Sequence, residues 1–238
     1  MYLLKVINMG NILLKYLEDR YKYHIPEPEV KIPGPIITIS RYFGCPANMC
    51  ANDLAELLTE MEGAKDNPWK VISKEILEQA AKELGLTPEK IEFVFKFQKR
   101  SAVDEILAAL SSKYYKSERK IKNTIREVIS TIGKQGRVII VGRGGAAILK
   151  DIPNSLHVKL IAPIDYRIDG ISKRHEISHA EARKLADEMD KKRSQLRADF
   201  AGRKMELVDY DLIFNCRKFD VDEIVNTVAN VSKTKGLI

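Results

Sequence analysis

Cysteine is scarce in this chain, long apolar runs are missing, and so is any excess of acidic charge. Each shortage removes a class of function. Three cysteines in 238 residues, Cys45, Cys50 and Cys216, are an odd number without close Cys/His pairing. That count argues against a disulfide framework and against a zinc site, and no residue is singled out as a metal ligand. Reduced thiols and a cytoplasmic location are the expectation. Cys45 stands near a predicted helix start, which could lower its pKa, but no histidine lies nearby in sequence to serve as its base. No run approaches the roughly 20 apolar residues of a membrane span. The apolar beginning, Met1 to Leu17, is interrupted by Lys5 and lacks a small-residue cleavage pattern, so no signal peptide is expected. Its Leu3, Leu4, Ile7, Leu14 and Leu17 instead fit a helical stripe that docks on the domain or a partner. Internal repeats and low-complexity tracts are also absent.

What is present is basic and ordinary in composition. Lys and Arg number 40 against 33 Asp and Glu, a net charge of +7. That surplus suits an anionic ligand, but no Arg/Lys-plus-aromatic motif of the RNA-binding kind accompanies it, and nucleic acid is not the expected partner. Apolar residues make up 45%, enough for a sizeable core. Four prolines from Pro26 to Pro35 read as a stiff linker. It leads into Ile36–Ser40, a buried strand, then a tight loop opening at Gly44, then an amphipathic helix.

Apolar bursts and helical stretches alternate from there. Trp69–Ser73, Arg137–Val141, Leu156–Ala162 and Tyr210–Asn215 read as further strands. Lys74–Leu84, most of Thr87–Lys134, a Pro163-initiated stretch to about His175, Ser178–Ala201 and Val221–Val231 read as helices. Strands that alternate with helices in this way form parallel crossovers, covered on both faces. The expectation is a doubly wound α/β domain with a five-stranded parallel sheet. Ligands of such sheets sit beyond the carboxyl ends of the strands. That rule gathers Arg41–Cys50, Gly142–Gly145 and the segment after Ala162.

Three constellations carry candidate chemistry. The strand–loop–helix at Gly44 has the frame of a phosphate site, because a helix start offers unpaired N–H groups and a positive dipole end. Gly142-Arg143-Gly144-Gly145 follows a strand, where glycine allows close approach and Arg143 can clamp a phosphate. Arg41 ends the first strand beside that loop. In the charged stretch Asp187–Arg197, Arg193 and Arg197 are four apart and share a helix face with Asp190.

In this order, these residues resemble the cytidylate kinase-like family, a branch of the P-loop nucleoside monophosphate kinases. The matching segments are Ile39-Ser-Arg-Tyr-Phe-Gly44, Lys74-Glu-Ile76, Ala81–Leu86, Val141-Gly-Arg-Gly144, Asp190-Lys-Lys-Arg193 and Tyr210–Asn215, within residues 36 to about 232. The resemblance implies a P-loop kinase-like domain over 34–238, a helical insertion at about 87–134 and a lid at about 178–204. The first 33 residues lie outside it. It also implies an enzyme that moves the γ-phosphoryl of ATP, with Mg²⁺, to a CMP-like nucleoside monophosphate. Gly44, Cys45, Ala47, Asn48, Met49 and Cys50 would hold the donor phosphates. Arg41, Arg143 and Gly144 would hold the acceptor, and Arg193, Arg197 and Asp190 would serve catalysis from the lid. The chain departs from the family pattern at three places. Cys45-Pro-Ala-Asn48 replaces S-G-G-[RK], Ser73 replaces the Asp that opens D-[KR]-E-I, and Gly144 replaces the Asp of G-R-D. The alternative is therefore a degenerate relative that binds a nucleotide or another anion without turnover, in a sensing or scaffold role.

Overall fold

A computed structural model describes residues 34–73, 78, 82 and 118–238. The chain divides into two compact units, residues 1–32 with 74–131, and residues 33–73 with 132–238. The expected N-terminal helix and linker, the Lys74–Leu84 helix and most of the Thr87–Lys134 helical stretch lie outside the described residues. The first unit is represented mainly by the larger part of helix α2, named below.

The second unit holds the whole sheet. In chain order its elements are β1 (Ile36–Arg41), α1 (Ala47–Met61), β2 (Lys70–Ile72), the end of α2 (Glu118–Gln135), β3 (Val138–Val141) and the short α3 (Gly145–Ile148). They continue with β4 (Ser155–Ile161), α4 (Ile164–His175), α5 (His179–Ala201), β5 (Leu212–Asn215) and α6 (Val221–Thr234). The sheet is five-stranded and parallel, in the order β2-β3-β1-β4-β5. From β1 the chain crosses over β3 to reach β2, whereas β3 and β4 lead the opposite way. This reversal around the carboxyl end of β1 is where such sheets bind ligands.

Alternation along the strands sorts residues between two faces. Ile37, Ile39, Ile139, Val141, Leu156, Val158 and Leu160 share a core with Leu54 and Leu58 of α1 and with Ile224, Val225 and Val228 of α6. Truncating a buried leucine such as Leu58 would cost about 2–5 kcal/mol. On the opposite face α3 packs closely, with Gly145 against Ile140 and Thr38, while Gly133 at the end of α2 meets Leu149 and Ile36. This second face also carries buried polar side chains: Thr38, Ser40, His157 and Lys159.

The strand spans differ from the sequence reading only at their ends. The last strand begins at Leu212 rather than Tyr210, because residues 207–209 form a 3₁₀ turn whose cap is Tyr210. The long α5 starts with a capping box between Ser178 and Glu181, and ends at Gly202 in the left-handed region. Only Ala182, Ala186 and Phe200 of its 23 residues are buried. It is held by small buried side chains near its start, by Phe200 near its end, and by the ion pair of Asp190 with Arg167 in its middle.

Candidate anion-binding site

The turn after β3 has an unusual backbone. Gly142, Arg143 and Gly144 are all left-handed, with φ of 74°, 53° and 78°. Glycine tolerates this at no steric cost, but a non-glycine residue there is strained. The geometry is kept because both glycines lie against side chains. A Cβ on Gly142 would collide with the Arg41 guanidinium, and one on Gly144 with the Phe200 ring. The first contact brings Arg41 from β1 into the turn, and the second seats the end of α5 upon it.

A cleft of about 30 Å³ results, lined by Ser40, Arg41, Gly142, Arg143, Gly144, Arg193, Leu196 and Arg197. A water needs roughly 10–15 Å³ of such space, so a small polyatomic anion fits better than a whole nucleotide. Four guanidinium groups from three elements face one another there. Burial first, then Arg193, Arg143 and Arg197, push the Arg41 guanidinium down to about 9. Arg193 is pushed down as well, chiefly by burial, with Asp190 working against the shift. Its Nη1 is buried without a hydrogen-bond partner, and its guanidinium lies over the Phe43 ring at 5.2 Å. Arg41 and Arg197 make no ion pair with a carboxylate among the described residues. Like charges crowded out of water are costly unless an anion neutralises them.

The loop after β1 is built differently. Phe43 donates its N–H to Asp190 Oδ1 at 2.7 Å. Arg167 Nη1 donates to Asp190 Oδ2 at 2.7 Å and to the Phe43 carbonyl at 2.9 Å, while its Nε donates to Ala162 O. Cys45 N–H bonds Tyr42 O, and Ala47 N–H bonds Cys45 O. Pro46 has no N–H to give. Gly44 is left-handed at φ 95°, pressed on Ile171 and Arg167. Loop donors without a partner among the described residues are those of Gly44 and, by the geometry of a helix start, of Asn48 and Met49.

The sequence-derived site residues therefore fall into two groups. Arg41, Arg143, Gly144, Arg193 and Arg197 share the cleft. Gly44, Cys45, Ala47, Asn48, Met49 and Cys50 do not line it. Asn48 and Met49 are exposed at the start of α1, whereas Ala47 and Cys50 are core residues. Asp190 does not line the cleft either. It joins α5 to α4 and to the loop through Arg167. Mg²⁺, which the resemblance implies, is poorly served by these residues. The Cys50 thiol, 1% exposed, is pushed up to about 11 by burial, and thiols are poor ligands for a cation that prefers oxygen. No group of three or more His, Cys, Asp or Glu side chains suited to a metal ion occurs among the described residues.

Two residues escaped the sequence reading. Arg167 could have been found as a cation in the first turns of a helix that follows a strand end. Lys159 could have been found as a charge inside the otherwise apolar run Leu156-His-Val-Lys-Leu160.

Fold and cleft together define a class: parallel α/β proteins that offer a cationic pocket beyond the carboxyl edge of the sheet. The chain belongs to the cytidylate kinase-like family, whose model matches residues 36–218. It is 29% identical over 122 residues to the cytidylate kinase of Methanocaldococcus jannaschii, a match that covers 50% of this chain and 68% of that one. It is 26% identical over 136 residues to a uronate isomerase of Corynebacterium glutamicum. That match covers 57% of this chain but only 26% of the isomerase. Among solved structures, an uncharacterized protein from Eubacterium ventriosum superposes with a TM-score of 0.58 at 21% identity, covering 84% of this chain and 98% of that one. A shikimate kinase from Bacteroides thetaiotaomicron reaches 0.44 at 11% identity, covering 84% and 98%. No described helix is long and apolar enough to cross a membrane.

Proposed function

We propose that the arginine cleft is the acceptor-phosphate site of a nucleoside monophosphate kinase-like protein, and that it takes a CMP-like nucleotide by its phosphate. The observation that carries this reading is the convergence of Arg41, Arg143, Arg193 and Arg197 on one small cleft. Arginine forks match phosphate oxygens in pairs, and a partly desolvated site strengthens each contact. The family relationship supports a reaction in which the γ-phosphoryl of ATP passes to that nucleotide. Such a transfer asks the protein mainly to position groups and neutralise charge. Arg193 and Arg197 stand where they could do so from α5.

Binding without turnover is the second reading, favoured by the loop after β1. Its Phe43, Cys45 and Ala47 N–H groups already have partners, and Asn48 supplies no charge. Losing one preorganised donor in a site of this kind costs roughly 10²–10³ in rate. The two readings part in one experiment that pairs calorimetry with CMP and a coupled ADP-release assay over a panel of monophosphates. Binding with ADP release above background supports the transferase, and binding alone supports the degenerate relative. Failure to bind any monophosphate overturns both.

A further inference from the structure

The sheet face beneath α5 holds a charged residue that the cleft does not explain. Thr38 Oγ1 and His157 Nδ1 satisfy each other at 2.8 Å, and Ser155 Oγ lies 3.1 Å from His157 Nε2. Two residues along β4, Lys159 is 3% exposed and forms no hydrogen bond or ion pair with the described residues. Its Nζ lies over the Tyr42 ring at 4.9 Å and the Tyr210 ring at 5.5 Å. The Tyr42 ring also carries the Arg167 guanidinium, at 5.0 Å. In register, Lys159 sits beside Ser40, which lines the arginine cleft.

Every element packed around Lys159 contributes to its charge balance. Arg193 and Arg197 repel it from α5. Asp190 attracts it from the same helix, although both carboxylate oxygens are already occupied by Phe43 and Arg167. The Cys45 thiol faces it from the loop. Burial, then Arg197, brings its ammonium down to about 7. Close by, the Tyr210 hydroxyl and Arg193 Nη1 are buried without hydrogen-bond partners among the described residues. A buried polar group left unsatisfied is destabilising. Three such groups around one strand point to a ligand that completes them.

We propose that Lys159 is a fifth, proton-linked cation of the anion site: a dianionic phosphate arriving among the arginines draws a proton from solvent onto the Lys159 amine. This rests on the cleft being a phosphate site, and deepens that reading by assigning the ligand's charge state. Without ligand, burial and the two arginines of α5 favour the neutral amine of Lys159 above neutral pH. Two negative charges nearby offset the arginines and make the ammonium the favoured form. The sign of the linkage follows. The bound state holds more protons, so affinity is full below about 7 and declines as pH rises above it.

The test is calorimetry with CMP at pH 8 in two buffers of different ionisation enthalpy, since a phosphate monoester with second pKa about 6 is already dianionic there. About one proton should be taken up per CMP bound, and affinity should fall by up to about tenfold per pH unit between 7 and 9. Lys159→Met should lose the uptake at pH 8 and flatten the profile between 7 and 8, below the range in which Arg41, at about 9, titrates. Lys159→Arg should flatten the profile while keeping the affinity that wild type shows at pH 7. CMP binding without proton uptake by wild type overturns the proposal, whatever the variants do. Uptake that persists in Lys159→Met overturns it as well. Absence of CMP binding at pH 7 removes the phosphate reading of the cleft together with it, and is distinguishable from both.

Discussion

Two loops at the same edge of the sheet treat their donors in opposite ways. The turn after β3 gathers arginines from β1 and α5 around one small cleft, and holds Arg143 itself in a left-handed backbone. The loop after β1 engages the N–H groups of Phe43, Cys45 and Ala47 within the protein, the first through Asp190 and the others through backbone carbonyls. Cationic side chains from distant parts of the chain can be kept for a ligand while a backbone cradle beside them closes on itself. On the proposed reading, recognition of an anion and activation of a phosphoryl donor are separable in this fold.

The comparison breaks most sharply at Asp190. Removing one partner of a largely buried ion pair leaves the other charge uncompensated. Arg167 is only 7% exposed on its side chain, and the Phe43 N–H would lose its acceptor too. Asp190→Ala should lower the unfolding free energy by about 3 kcal/mol, read from urea denaturation. Asp190→Asn should lose less, because its amide oxygen still accepts from Phe43. A loss under about 1 kcal/mol in the alanine variant would mean that Arg167 is solvated, and the loop would not be held closed by this contact.

Much of this arrangement was readable from the chain and some of it was not, for definable reasons. All five strands announced themselves through apolar runs between helical stretches, and their order in the chain carried the parallel sheet. Arg41 and Arg143 were legible because each stands at the carboxyl end of a strand, and Arg193 with Arg197 because of their four-residue spacing. The role of Asp190 was not, since its partners Phe43 and Arg167 are distant in sequence and only the tertiary fold brings them together. Lys159 was hidden by its neighbours: within a buried strand, a lysine is read as part of the run. Nor could the turn's backbone be foreseen, because Gly142 and Gly144 are explained by what they touch, Arg41 and Phe200.

The cleft itself is tested by Arg41→Met. A hydrogen bond to a charged group contributes about 1.5–3 kcal/mol, so affinity for CMP should fall roughly 10–100-fold by calorimetry. Stability of the ligand-free protein should move the other way. An apolar chain of similar length removes a half-buried charge that three other arginines repel, and thermal unfolding should occur at a higher temperature. Weaker binding with lower stability would place Arg41 among the groups that hold the fold rather than those kept for a ligand.

The finest distinction is at Asn48, where the loop lacks the cation of its family's pattern. If the cation were the sole deficiency, Asn48→Lys would restore much of a preorganised contact, a gain of roughly 10²–10³ in rate. Asn48 is exposed at the start of α1, however, and a charge there acts through solvent, where such pairs contribute about 0.2–1 kcal/mol. The Phe43 N–H would still be held by Asp190 and the Cys50 thiol would still be buried. The expected increase in ADP release with ATP and CMP is therefore under about tenfold. A gain of a hundredfold would show that the loop needed only its missing charge, and that its closed backbone is no barrier to the donor. The contrast between the two loops would then be one of side chains alone.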